Sequence, residues 1–137
     1  MTINFLRSVD IHMAAEKSRL AALLMSKRHW RQMKQLGSRR EYYAHTLEIG
    51  AGSDDCACCR RYGCDSDKCK NVCPLSNGAE SVLERCCHGE YRAFLTVKED
   101  FRTTSEQWCR AAEAVIHDID KAIRRTRYAL KKGEVLA

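Results

Sequence analysis

The residues best suited to chemistry are the cysteines. The chain has nine, and all but Cys109 fall between Cys56 and Cys87. That stretch reads Cys56-Ala-Cys58-Cys59, then Cys64, Cys69 and Cys73-Pro74-Leu75, and ends Cys86-Cys87-His88. Thiolates are soft ligands, and close pairs of them bend around a tetrahedral zinc ion as turns. Cys56-x2-Cys59 is one such pair, and Cys69-x3-Cys73 is a second. The spacing therefore predicts a compact zinc site on Cys56, Cys59, Cys69 and Cys73. Cys58, Cys64, Cys86, Cys87 and His88 are alternate ligands. Disulfides or uncombined thiols are the competing reading, but an odd cysteine count suits a disulfide framework poorly.

The composition around these cysteines supports a staple. From Cys56 to Cys73 the large apolar residues are only Tyr62 and Val72. So little apolar surface cannot offset the entropy of ordering the segment, which then needs a cross-link or a metal. A catalytic zinc keeps an open position and usually takes histidine or carboxylate ligands, so a cysteine-dominated site is structural. A deaminase-like site would need His-x-Glu ahead of its cysteine pair, and His45 and Glu48 are one position too far apart. No glycine-rich phosphate loop and no Cys–His nucleophile pattern is present. The expectation is a protein that is not an enzyme.

Two helical arms must position the cysteine stretch. Residues 4–36 read as a long helix, with Leu6, Val9, Met13, Leu20, Leu23 and Leu24 recurring at three- and four-residue steps, then Trp30, Met33 and Leu36. Gly37 is a candidate C-cap, and Ser38 with Glu41 would restart a helix through Leu47. Glu80 to Cys87 and Glu90 to Phe94 read as short helices. In the last arm, 104–132, Thr104 and Gln107 form a capping box. Trp108, Ala112, Val115, Ile119, Ala122 or Ile123, and Leu130 make one apolar stripe, and Gly133 stops the helix. The fold class is therefore mainly α, in one domain. It would be an antiparallel helical hairpin or bundle, coiled-coil-like in its stripe. Arms at 4–49 and 104–132 would flank a zinc-stapled, cysteine-rich insertion at 50–95. The stripes could cover each other or a second copy of the chain, giving a homodimer.

The net charge is +6, from 24 basic and 18 acidic residues, and the excess lies in the arms. Lys27, Arg28, Arg31, Lys34, Arg39 and Arg40 could lie along phosphates, so a nucleic-acid-binding zinc module is the alternative function. His12, His29, His45 and His117 sit singly on helices and read as surface or boundary residues. Cys109 reads as a buried thiol, and Trp30 and Trp108 as core anchors. No stretch approaches the roughly 18 apolar residues of a membrane span, and the first ten residues do not resemble a secretory leader. A reducing cytoplasm, where clustered cysteines hold metal, is the expected compartment.

The order of these features carries a resemblance. His29-Trp30 is followed by Cys56-x2-Cys59-x2-Tyr62, then Cys69-x3-Cys73-Pro74-Leu75, then Cys86-Cys87-x3-Tyr91-x2-Phe94 and a closing helix with Ala111, Ala112, Val115, Ile116 and Ile119. This resembles a loose group of small cysteine-rich bacteriophage proteins over about residues 30–125. The chain departs from that pattern in the three-residue gap of its second pair and in the added thiols Cys58, Cys64 and doubled Cys86-Cys87. The resemblance implies a zinc site and a phage protein acting in host cytoplasm, and it brings no activity with it. Together these features predict a zinc-stabilised protein that works by binding another protein. The resemblance adds that the partner is a host protein, such as a host machine or defence system that is inhibited.

Overall fold

The computed structural model describes residues 2–52, 55–63, 66–76 and 88–137, with His88 and Gly89 described by backbone alone. All regular structure among them is helical: α1 (Ser8–Lys17), α2 (Arg19–Leu36), α3 (Arg39–Ala44), α4 (Ala57–Tyr62), α5 (Asp67–Asn71), α6 (His88–Glu99) and α7 (Ser105–Lys131). No described helix is long and apolar enough to cross a membrane. The short helix expected over Glu80 to Cys87 lies outside the described residues.

The first arm is not one helix from residue 4 to 36. Ser18 is fully extended (φ −171°, ψ 166°), and its hydroxyl accepts the Ala21 N–H at 3.0 Å. A serine at this place caps a new helix rather than continuing the old one, because its side chain satisfies a backbone donor that the first turn leaves open. The break also turns α1. Its buried face is Ile11 and Ala15, while Val9 and Met13, expected on the apolar stripe, are 50% and 64% exposed.

The other boundaries follow local chemistry. Gly37 takes the left-handed conformation (φ 79°) and closes α2 with an N–H bond to the Lys34 carbonyl. The Ser38 hydroxyl accepts the Glu41 N–H at 3.1 Å and starts α3, which ends at Ala44 rather than Leu47. Thr104 and Gln107 cap each other reciprocally at 2.8 and 3.1 Å, opening α7.

The core lies between α2 and α7, which run in opposite directions. Met33 near the end of α2 meets Trp108 near the start of α7, and Lys27 in the middle of α2 pairs with Asp120 further along α7 at 2.7 Å. Trp108, Ala112, Val115, Ile119, Ala122 and Ile123 are buried, whereas Leu130 lies beyond the contact and is 44% exposed. Phe94 of α6 stands edge-on between the rings of Trp30 and Trp108, with centroids 4.7 and 4.8 Å away. Edge-to-face aromatic clusters of this kind add to the burial of large apolar area. α1 and α2 also pack against α4, which brings the cysteine segment onto the scaffold.

Candidate metal centre

The cysteine segment is less loop-like than its composition suggests. Cys56 immediately precedes α4, which carries Cys58 and Cys59, and Ser66 caps the short α5, which carries Cys69. Cys73 opens a turn closed by the Ser76 N–H on the Cys73 carbonyl at 3.1 Å. In that turn Leu75 is buried, while the Ser76 hydroxyl donates to the Lys70 carbonyl.

Three sulfurs come together here, with Cys58 in the middle. Cys58 is fully buried, and the neighbouring side chains that act most strongly on its thiol are Cys56 and Cys73. Ser26 reaches in from α2: its hydroxyl donates to the Cys58 sulfur at 3.6 Å and lies 3.6 Å from the Cys56 sulfur. The electrostatics separate the thiols. Hydrogen bonds to Cys56 and Cys73, and then burial, hold Cys58 well above the usual thiol range. Cys73 is held below it, first because it accepts from Cys58, and further because the Leu75 and Ser76 N–H groups point at its sulfur. Of these two, Cys73 is the readier to become a thiolate, the form that binds metal.

Of the four ligands expected from spacing, the structure unites Cys56 and Cys73 in this cluster. Cys59 and Cys69 are buried on α4 and α5. Cys58, a mere alternate in the spacing argument, is the centre. A tertiary contact with α2 selects it, and pair spacing cannot register such a contact. Cys64, Cys86 and Cys87 lie outside the described residues. Among the described residues, no three His, Cys, Asp or Glu side chains already surround a point where an ion could sit. Thiols are the donor type that soft or borderline divalent ions take; of these three, Cys58 is buried and Cys56 and Cys73 are partly exposed.

His29 overturns its reading as a surface or boundary residue. It is 3% exposed, and its Nε2 lies 2.6 Å from the Gly50 carbonyl oxygen. Its Nδ1 is buried with no hydrogen-bond partner. Burial holds the imidazole below the usual histidine range, against the opposing pull of the Gly50 bond, Cys56 and Asp55. Ser26, three residues earlier on the same helix face, is buried with it.

The expected phosphate-binding row is partly spent on the protein itself. Lys27 pairs with Asp120 and Lys34 with Glu113, each at 2.7 Å. Arg39 donates to the Lys98 carbonyl at 2.7 Å and stacks over Tyr43. Arg28, Arg31 and Arg40 are exposed. Cys109 is half-buried, and its thiol donates weakly to the Lys34 and Gly37 carbonyls, so it belongs to the α2–α7 contact. Comparisons with protein families, with curated proteins and with solved structures give no match.

Proposed function

We propose that the protein is a small zinc-stapled helical protein that acts by binding another protein. The observation that carries the metal half is the Cys56–Cys58–Cys73 sulfur cluster on the buried Ser26 hydroxyl. Cys56, Cys58 and Cys73 would hold zinc, and Cys59, Cys64, Cys69, Cys86, Cys87 and His88 are the pool that completes the set. Bound zinc supplies folding free energy, because the unfolded chain lacks the assembled site. Each thiol that ligates gives its proton to solvent. In this reading the antiparallel arms form a hairpin, and the stapled segment fixes how α4 and α5 sit against α1 and α2.

The binding half is supported by an open groove of about 740 Å³ between α1 and α2. Met13, Leu24 and Met25 line it together with Asp10, Lys17 and Arg28. Methionine-rich apolar ground beside charges of both signs suits a protein surface better than a polyanion. A nucleic-acid reading would have to run on Arg28, Arg31 and Arg40, since Lys27, Lys34 and Arg39 are engaged. That the partner is a host protein, met in host cytoplasm and inhibited there, is supported by the phage resemblance.

Native mass spectrometry of the reduced protein tests the metal half. The expected result is a whole number of zinc ions per chain, lost on chelation together with a fall in melting temperature. A metal-free chain that keeps its melting temperature in chelator, with its sulfurs oxidised in pairs, would overturn the reading.

A further inference from the structure

We infer that the protein partner engages the outer face of α7 through an acidic helix, whose carboxylates meet Arg124 and Arg125 beside the exposed Tyr128 ring. This rests on the protein-binding reading above and names the chemistry of the partner. From Lys121 to Lys132 the chain holds six basic residues and no acidic one. Ala122, Ile123 and Thr126 face the core, whereas all six basic residues are exposed. Lys121, Arg124 with Arg125, Tyr128, and Lys131 with Lys132 follow at three- and four-residue steps. Such steps set them on one face, turned away from the buried one. At 1.5 Å per residue this stripe is about 16 Å long, or three helical turns. Tyr128 stands within it, 65% exposed, with the Lys132 ammonium 5.1 Å from its ring centroid.

The fold leaves most of these charges unanswered. Among the described residues no carboxylate pairs with Arg124, Arg125, Arg127 or Lys131, and Lys121 meets Asp118 only at 3.9 Å. The helix dipole accounts for Lys131 and Lys132, because its effect is confined to the last turn, but Arg124 and Arg125 lie further in. The occupant that fits is short and carries carboxylates. Guanidinium groups bind carboxylates through paired parallel hydrogen bonds, and protein interfaces concentrate tyrosine and arginine. A phosphate chain continuing along the helix would instead meet Asp118 at one end of the stripe and Glu134 just past the other. On its inner side α7 already pairs with a helix in this way, where Asp120 meets Lys27 and Glu113 meets Lys34 at 2.7 Å. An acidic helix on the outer side repeats the device with the signs exchanged.

The test titrates the reduced full chain, at physiological salt, into fluorescent probes read by anisotropy. One probe is a hydrocarbon-stapled helix of glutamate, alanine and leucine, about three turns long, with glutamates at three- and four-residue steps. The second has the same residues with the glutamates scattered around the helix, and the third is a duplex DNA oligonucleotide. Co-sedimentation with phosphatidylserine vesicles runs beside them. The expected result is that the striped helix binds at least about tenfold tighter than the scattered one or the duplex. Arg124→Glu with Arg125→Glu should abolish that binding, and Tyr128→Ala should weaken it about fivefold or more. These positions are exposed, so the melting temperature should stay unchanged. Equal binding of the two helices, or of neither, would overturn the inference and leave the protein-binding reading on the α1–α2 groove. Tighter binding of the duplex would overturn both, and tighter association with the vesicles would overturn the inference.

Discussion

The Trp108 indole Nε1 donates to the Met33 backbone carbonyl at 2.8 Å, across the contact between α7 and α2. Trp108 is completely buried and holds the ring of Phe94 against its own. One side chain therefore ties three helices. Trp108→Ala should cost about 3–5 kcal/mol in denaturant unfolding, as expected for truncating a buried large aromatic residue. Trp108→Phe should cost less, but more than the volume change alone, because the Met33 carbonyl loses its donor. A loss below about 1 kcal/mol for the alanine variant would show that the junction is loosely packed.

The cap on α7 should be separable from the proposed metal centre. Thr104→Ala removes the acceptor for the Gln107 N–H and should lower stability by about 1 kcal/mol. Zinc content should stay unchanged, because the cap stands on a different element from the thiols. Unfolding curves and metal analysis on the same preparation would check both statements.

Cysteine variants should fall into two groups. Cys58→Ser and Cys73→Ser remove the centre of the cluster and the thiol that Cys58 eases toward thiolate, so zinc per reduced chain should drop and chelator sensitivity should rise. Cys109→Ser should leave zinc content unchanged and alter stability by about 1 kcal/mol or less, since that thiol only touches two carbonyls at the end of α2. Equal zinc loss in all three would mean that the cluster is not the binding site.

The groove between α1 and α2 should matter for binding and hardly at all for folding. Met13 is largely exposed and Leu24 lies at its edge, so Met13→Asp and Leu24→Asp should each change stability by no more than about 0.5 kcal/mol. Both should abolish capture of the partner protein in a pull-down that the wild type performs. Undiminished capture by both variants would move the interface elsewhere.

The basic arms make a salt-dependent prediction. In a mobility-shift titration, binding driven by phosphate contacts must weaken steeply as salt rises. With Lys27 and Lys34 held by Asp120 and Glu113, the expected result is no shift at moderate salt. A shift that persists there and is lost in Arg28→Ala/Arg31→Ala would favour the nucleic-acid function.

The sequence by itself determined the helical class, the ends of α7 and the cap at Gly37, because these depend on side chains within one turn of the backbone groups they serve. Thr104 with Gln107, and Ser38 with Glu41, act over three residues and can be read along the chain. Composition suggested that the segment from Cys56 to Cys73 is too poor in apolar residues to order itself by burial, yet α4 places Ala57, Cys58 and Tyr62 in the core. Only the tertiary structure decided which sulfurs meet. Cys58 became central because α2 lays Ser26 against it, a contact between residues 32 apart. It also decided that α1 buries Ile11 and Ala15, since the break at Ser18 turned a periodicity that several registers could fit. His29 was hidden for the same reason: the partner that fixes its tautomer is the Gly50 carbonyl, a backbone atom present at every residue, which only the fold could bring to it.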